Sequence, residues 1–239
     1  MSKVDILAIG IHPDDIELSA SGTLLKQKAQ GYTFALCDLS MGQLGSRGDA
    51  QTRIQEAEAA KEILGAEWRV NLGMDDGFFT YDEEHIKAIV KVIRLSKAEI
   101  VLANAVSDRH PDHGRAAKLV ADACFYAGLL KIETEWEGVP QEKHRPRAVY
   151  HYIQDRNLKA DFVVDISPYM EKKMESILAY RTQFFTGEHD GPETPISGKY
   201  FMDYMYAKNK AYGRDIGADY AEAFTVNRDI GVKDLFDLV

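Results

Sequence analysis

The 239-residue sequence has two cysteines, seven prolines and two tryptophans, and no apolar run near the roughly 20 residues that a membrane-spanning helix needs. Cys37 lies in an apolar run and Cys124 on the face of a helical pattern. Both read as buried small hydrophobes, which argues against a disulfide, a cysteine nucleophile or a zinc finger. Positive charge is in deficit: 29 Lys and Arg against 38 Asp and Glu leave a formal charge of −9. Such a surface repels phosphate backbones and anionic lipid headgroups, so neither nucleic acid nor membrane is expected as a partner. The opening residues lack the basic segment, long apolar stretch and cleavage site of a secretory leader, and a cytoplasmic location is the expectation. With 45% hydrophobic residues, no internal repeat and no linker-like break, residues 1–239 are expected to form one domain.

What the chain does have is a regular alternation of elements. Val4 to Ile11 is a short, nearly continuous apolar run, the pattern of a parallel strand covered on both faces. A helix is expected over Ile16 to Gln30, a strand over Thr33 to Leu39, a glycine-rich loop over Met41 to Asp49 and a helix over Gln51 to Leu64. Trp68 to Leu72, Glu83 to Leu95, Ile100 to Asn104 and Pro111 to Tyr126 continue the series as strand, helix, strand, helix. Ala148 to Gln154 and Asp161 to Ile166 read as further strands. Ser167-Pro168 supplies the N-cap and first residue of a helix to about Phe184. The alternation predicts an α/β fold with a mostly parallel sheet. Gly187 to Gly198, rich in Gly, Pro, Thr and charge, is expected to be a loop able to flank a site.

Two motifs carry the chemistry. The first strand ends in His12-Pro13-Asp14-Asp15, and in open α/β sheets ligands bind beyond the carboxyl ends of strands. Alone, the tetrapeptide could be a strand breaker with a helix-capping Asp. A near-copy, His110-Pro111-Asp112-His113, follows the strand Ile100 to Asn104. Pro111 fits the first helical position, which puts His110 just outside the helix and His113 in its first turn. Ala116, Leu119, Val120 and Ala123 recur at helical spacing behind it. Two His and one carboxylate form an established catalytic zinc set with an open position.

The strand with His-Pro-Asp-Asp, the loop Ser40-Met41-Gly42-Gln43-Leu44-Gly45-Ser46-Arg47-Gly48, the helix beginning Arg53-Ile54-Gln55-Glu56-Ala57, the segment Asp108 to His113 and Tyr220-Ala221-Glu222-Ala223-Phe224 together resemble the LmbE-like (PIG-L-like) deacetylases. The likeness spans nearly the whole chain. Within that family it is most similar to the bacillithiol-pathway enzymes that deacetylate N-acetylglucosaminyl malate. The resemblance implies a Rossmann-like sheet with helices on both faces and the site at the strands' carboxyl ends. It further implies ligation of zinc, or Fe(II) in the cell, by His12, Asp15 and His113, with Asp14 as general base and His110 steadying the oxyanion. A homo-oligomer is also implied. Two positions depart from related patterns: Gln43 stands where the family often has Glu, and Asp108 where a mycothiol-pathway group has Tyr.

Asp112 is expected to accept a hydrogen bond from a ligating histidine, and His110 to act as a protonated donor. A malate conjugate carries two carboxylates, for which Arg53 and Arg109 are the candidate readers; a surface pair with Glu56 competes for Arg53. Tyr200, Tyr204 and Tyr206 are expected to pack, and His85, His144, His151 and His189 to be structural or surface residues. Three alternatives stand beside this reading. One is a deacetylase of chitooligosaccharide or inositol-linked N-acetylglucosamine, and another a non-haem iron oxygenase, which uses the same ligand types. The third is a non-catalytic sugar- or nucleotide-binding module, although no G-x-G-x-x-G follows the first strand.

Overall fold

The structure is a computed structural model and describes residues 1–184 and 191–238. In chain order the elements are β1 (Ile6–Gly10), α1 (Asp15–Ala29), β2 (Phe34–Ser40), α2 (Ala50–Leu64), β3 (Arg69–Met74), α3 (Glu83–Ser96), β4 (Ile100–Ala103) and α4 (Pro111–Ala127). After them come β5 (Glu135–Trp136), β6 (Val139–Pro140), β7 (Ala148–Tyr152), β8 (Phe162–Asp165), α5 (Met170–Leu178), α6 (Lys199–Arg214) and β9 (Ala221–Thr225). No helix among the described residues is long and apolar enough to cross a membrane.

The main sheet has the order β3-β2-β1-β4-β7-β9-β8. β3, β2, β1, β4 and β7 run parallel to one another, and β9 enters antiparallel between β7 and β8. Every residue of β1 and β2 is buried, and the period of two sorts their side chains to opposite faces. Leu7 and Ile9 pack with Ile89 and Ile93 of α3 and Leu119 and Val120 of α4. Ile6 and Ala8 pack with Ile16, Ala20 and Leu24 of α1. A further cluster joins Ala57 and Ala60 of α2 to Met174 and Ile177 of α5 and Phe201 and Met205 of α6. Since β2 and β3 extend the sheet on one side of β1 and β4 on the other, the loops after β1 and β4 diverge and open a crevice at the strands' carboxyl ends.

The strand-helix alternation and the parallel sheet are as expected; the C-terminal third departs. The helix expected to reach Phe184 ends at Leu178, and its first turn is a 3-10 turn at Ser167–Tyr169. Ser167 is not the N-cap: its hydroxyl donates to Asp165 Oδ1 at 2.6 Å. The helix α6, the antiparallel β9 and the β5–β6 hairpin had no expectation. Cys37 and Cys124 are free and buried.

β9 ties the end of the chain to α1. Glu222 accepts from the backbone N–H groups of Gly22 at 3.0 Å and Thr23 at 2.7 Å. Lys173 of α5 donates to Glu222 at 2.7 Å and to the carbonyls of Glu17 and Leu18 at 3.0 and 2.8 Å. Both side chains are fully buried, where removing one partner strands the other charge. Lys173→Met is therefore expected to lower the unfolding free energy by about 3–5 kcal/mol. In urea denaturation, the double variant K173M/E222Q should lose less than the sum of its single variants.

Candidate active site

β1 ends at Gly10, and Pro13, with no N–H to donate, stands two residues before α1, so the chain turns toward the helix at Asp14. Asp14 occupies the N-cap position with φ 116°, and its side chain makes no capping bond. A non-glycine residue in the positive-φ region costs about 1–3 kcal/mol, and here the distortion leaves the Asp14 carboxylate facing Arg53, not the helix. Asp15 Oδ2 accepts from His12 N at 2.9 Å instead. Across the crevice His110 is the N-cap of α4, its Nδ1 accepting from Asp112 N at 3.3 Å, and Pro111 opens the helix. Ala116, Leu119, Val120 and Ala123 behind it are all buried.

The two motifs meet. Ring centroids lie 5.7 Å apart for His12 and His113, 4.8 Å for His12 and His110, and 5.2 Å for His110 and His113. Asp15 sits between the outer pair, with His113 Nε2 3.2 Å from Oδ1 and His12 Nδ1 3.8 Å from Oδ2. Ligand atoms about 2.0–2.2 Å from one tetrahedral ion are roughly 3.4 Å from each other. The two distances here run to different oxygens of Asp15, while the donor types, two imidazole nitrogens and a carboxylate, are ones that zinc or ferrous iron accepts.

The far side of each histidine is held by a carboxylate, the arrangement that orients ligating imidazoles. His12 Nε2 bonds Asp76 Oδ1 at 2.9 Å, and His113 Nδ1 bonds Asp108 Oδ2 at 2.6 Å. Asp112, the expected partner, is 3.6 Å from His12 Nε2. Its oxygens accept from Gly77 N and Arg115 Nη1, both at 3.0 Å. The role expected of Asp112 falls chiefly to Asp76 and Asp108. Asp76 stands on an unrelated loop and gave no sequence signal; Asp108 stood out as the first residue of the second motif's segment and as a departure from Tyr, with no role attached to it. Two sets of potential ligand atoms converge among the described residues, His12 with His110 and His113, and His12 with Asp76 and Asp112; Asp15 belongs to neither set.

Burial works against the charge of both histidines, yet the carboxylates win. The nearby carboxylates of Asp112 and Asp76 raise the His12 pKa to about 10, and Asp15 with Asp108 raises that of His113 to about 9. Asp15, buried but beside His113 and His12, is driven well below the usual carboxylate range. Asp14 moves the other way: burial lifts it to about 7 against the pull of Arg53. His110 is lowered by burial and by the neighbouring histidine charges. Both effects favour a neutral His110 imidazole over the protonated donor expected of it, and because Nδ1 accepts from Asp112 N, Nε2 would carry the proton.

Arg53 and Arg109 both border a cavity of about 310 Å³ that also touches His12, Asp14, Asp15 and His113. Arg53 is buried and donates through Nη2 to Asp14 Oδ2 at 3.0 Å and Pro13 O at 2.7 Å. The surface pair with Glu56 is not formed, because Glu56 accepts from Thr182 N and Oγ1 at 2.7 and 2.8 Å. Arg109 is half exposed at the rim, its Nε 2.5 Å from Asp155. Leu18, Phe201 and Met205 form an apolar stretch of the lining.

In the glycine-rich loop the Gln43 amide uses both ends, accepting from Met41 N at 3.1 Å and donating to Met74 O at 3.3 Å, a pairing that Glu lacks the donor to make. Tyr200 and Tyr206 bond Pro195 O and Glu171, whereas Tyr204 borders the cavity. His151 is buried with Nδ1 on Asn104 O, His144 bonds Ala98 O and His85 bonds Asp82. His189 and the first part of the expected flanking loop, 187–190, lie outside the described residues.

Comparison with known proteins adds to this geometry. The profile of the family PIG-L, GlcNAc-PI de-N-acetylase, matches residues 7–124. The chain is 30% identical over 189 residues to diacetylchitobiose deacetylase of Thermococcus kodakarensis, covering 75% of this chain and 70% of that one. It is 25% identical over 231 residues to 1D-myo-inositol 2-acetamido-2-deoxy-alpha-D-glucopyranoside deacetylase of Saccharomonospora viridis, covering 76% and 86%. Among solved structures, the conserved protein TT1542 from Thermus thermophilus superposes with a TM-score of 0.85 at 31% identity, covering 97% of this chain and 98% of that one.

A metal takes the neutral imidazole, so binding must displace the protons that the carboxylates hold on His12 and His113. At pH 7.5, below both raised values, zinc binding is expected to release up to about two protons. Calorimetry in buffers of different ionisation enthalpy should show this release, diminishing as pH rises through about 9 to 10.

Proposed function

Because the chain belongs to the PIG-L family of de-N-acetylases, we propose that it hydrolyses the acetamide of an N-acetylglucosaminyl conjugate, N-acetylglucosaminyl malate foremost, releasing acetate and the free amino sugar. The observation that carries this reading is the juxtaposition of His12, Asp15 and His113 with Asp14, whose carboxyl is poised at about 7, against one cavity. His12, Asp15 and His113 hold zinc or ferrous iron. When bound, such an ion supplies Lewis acidity and brings water to a usable nucleophile near neutral pH.

Asp14 takes the proton of the attacking water; a pKa near the working pH suits it both to accept that proton and to give it up again. His110 donates its Nε2–H to the oxygen of the acetamide carbonyl as charge develops there, and a neutral donor in a partly buried site suffices for this. Asp14 then returns its proton to the departing amine, so the base ends the cycle as it began. Arg53 opposes the burial that raises Asp14 and keeps the base from rising further.

For malate, the support is the position of Arg109 at the cavity rim, where its Nε pairs with Asp155 and, among the described residues, its terminal nitrogens have no hydrogen-bond partner. Arg53, already bonded to Asp14, is the weaker candidate reader. A neutral disaccharide of the kind named in the Thermococcus relative is the second reading, favoured by the acids that both cavity arginines already face. Free-amine release should be measured from N-acetylglucosaminyl malate, N-acetylglucosaminyl inositol and diacetylchitobiose, after chelation and after restoring zinc. Asp14→Asn is expected to lower kcat by about 10²–10⁴ and His110→Ala by about 10²–10³. Arg109→Ala should raise KM about tenfold for the malate conjugate alone. Equal effects on all three substrates would remove malate as the assignment, and turnover unaffected by chelation would remove the metal.

A further inference from the structure

Asp15 does not hold its place unaided. Its Oδ2 accepts from His12 N and from Asn104 Nδ2, both at 2.9 Å, while Oδ1 accepts from Gln154 Nε2 at 3.0 Å and faces His113. Two donors fill Oδ2, and one lone pair of Oδ1 remains on the histidine side. The Gln154 amide is fixed in turn, since its Oε1 accepts from Asn104 Nδ2 and Ala105 N, each at 3.0 Å. Its amide nitrogen is thereby aimed at Asp15. Gln154 and Asn104 are both buried.

The loop that carries Gln154 is gripped from α6. Lys208 is buried and donates to the carbonyls of Ile153, at 2.9 Å, and of Gln154. One turn earlier on the same helix, Tyr204 donates to Asp155 O at 2.7 Å. Three successive carbonyls after β7 are thus held by two side chains spaced i, i+4. The helix whose Phe201 and Met205 line the cavity also sets the loop that orients the carboxylate.

We propose that Gln154, clamped by Lys208, is a positioning residue that fixes the Asp15 carboxylate for metal binding. This rests on the metal-dependent reading of the site. Partners of this kind govern metal affinity by holding the ligand in one rotamer, and their loss costs about 10–100-fold. Gln154 has no proton to give at neutral pH and takes no part in the hydrolysis itself.

The test is the zinc Kd of the full chain by competition with a chromophoric chelator, together with thermal unfolding of the metal-free protein. Gln154→Met is expected to raise the zinc Kd about 10–100-fold, and zinc should stabilise this variant against heat less than it stabilises the parent. Lys208→Met, which leaves Gln154 in the chain but frees its backbone, should raise the Kd in the same direction by a smaller factor, and it decides the matter if Gln154→Met does not fold. A zinc Kd within about twofold of the parent in the folded variant overturns the proposal, even if that variant melts earlier, because Gln154 would then be structural only. A parent that binds no zinc removes the metal-dependent reading itself, and this proposal with it.

Discussion

A carboxylate buried as fully as that of Asp15 is tolerable only where donors surround it, and the architecture of the catalytic end follows from that requirement. The donors come from four places in the chain: His12 after β1, Asn104 after β4, His113 on α4 and Gln154 after β7. They converge because β1, β4 and β7 are neighbours in one sheet. The left-handed backbone at Asp14 turns that side chain from the helix end toward Arg53, so that adjacent aspartates have separate tasks.

Those tasks are separated electrostatically. Asp15 faces histidines and amide donors and stays ionised, whereas burial lifts Asp14 to about 7 against the pull of Arg53 and, more weakly, of His12. Two titratable groups pushed apart by their surroundings are the usual mark of divided acid–base labour. Asp76 and Asp108 complete the arrangement by pinning the outer nitrogens of His12 and His113. Each imidazole then offers a particular nitrogen inward.

Much of this was legible in the sequence because it is local. An apolar run, a proline and a polar tetrapeptide say where a strand ends and what it presents, and the second copy at His110–His113 says that two strand ends share the purpose. Residues that act from a distance left no such trace. Asp76 lies on the loop after β3, and Gln154 was readable only as the end of a strand. Lys208 belongs to α6, whose run of tyrosines reads as packing and not as helix. β9 was equally hidden, since a strand that enters the sheet from the chain's end is placed by its partners β7 and β8. Arg53 was found for its position, but its bond to Asp14 depends on a backbone distortion that no propensity predicts.

The direct measurement of the central claim is a crystal structure of the zinc-loaded protein with anomalous differences recorded across the zinc absorption edge. The account predicts one peak within about 2.0–2.2 Å of a His12 nitrogen, an Asp15 oxygen and His113 Nε2, with Asp76 and Asp108 still bonded to the two histidines. A peak instead between His12 Nε2, Asp76 and Asp112, or between His12, His110 and His113 without Asp15, the two sets of convergent ligand atoms, would contradict it.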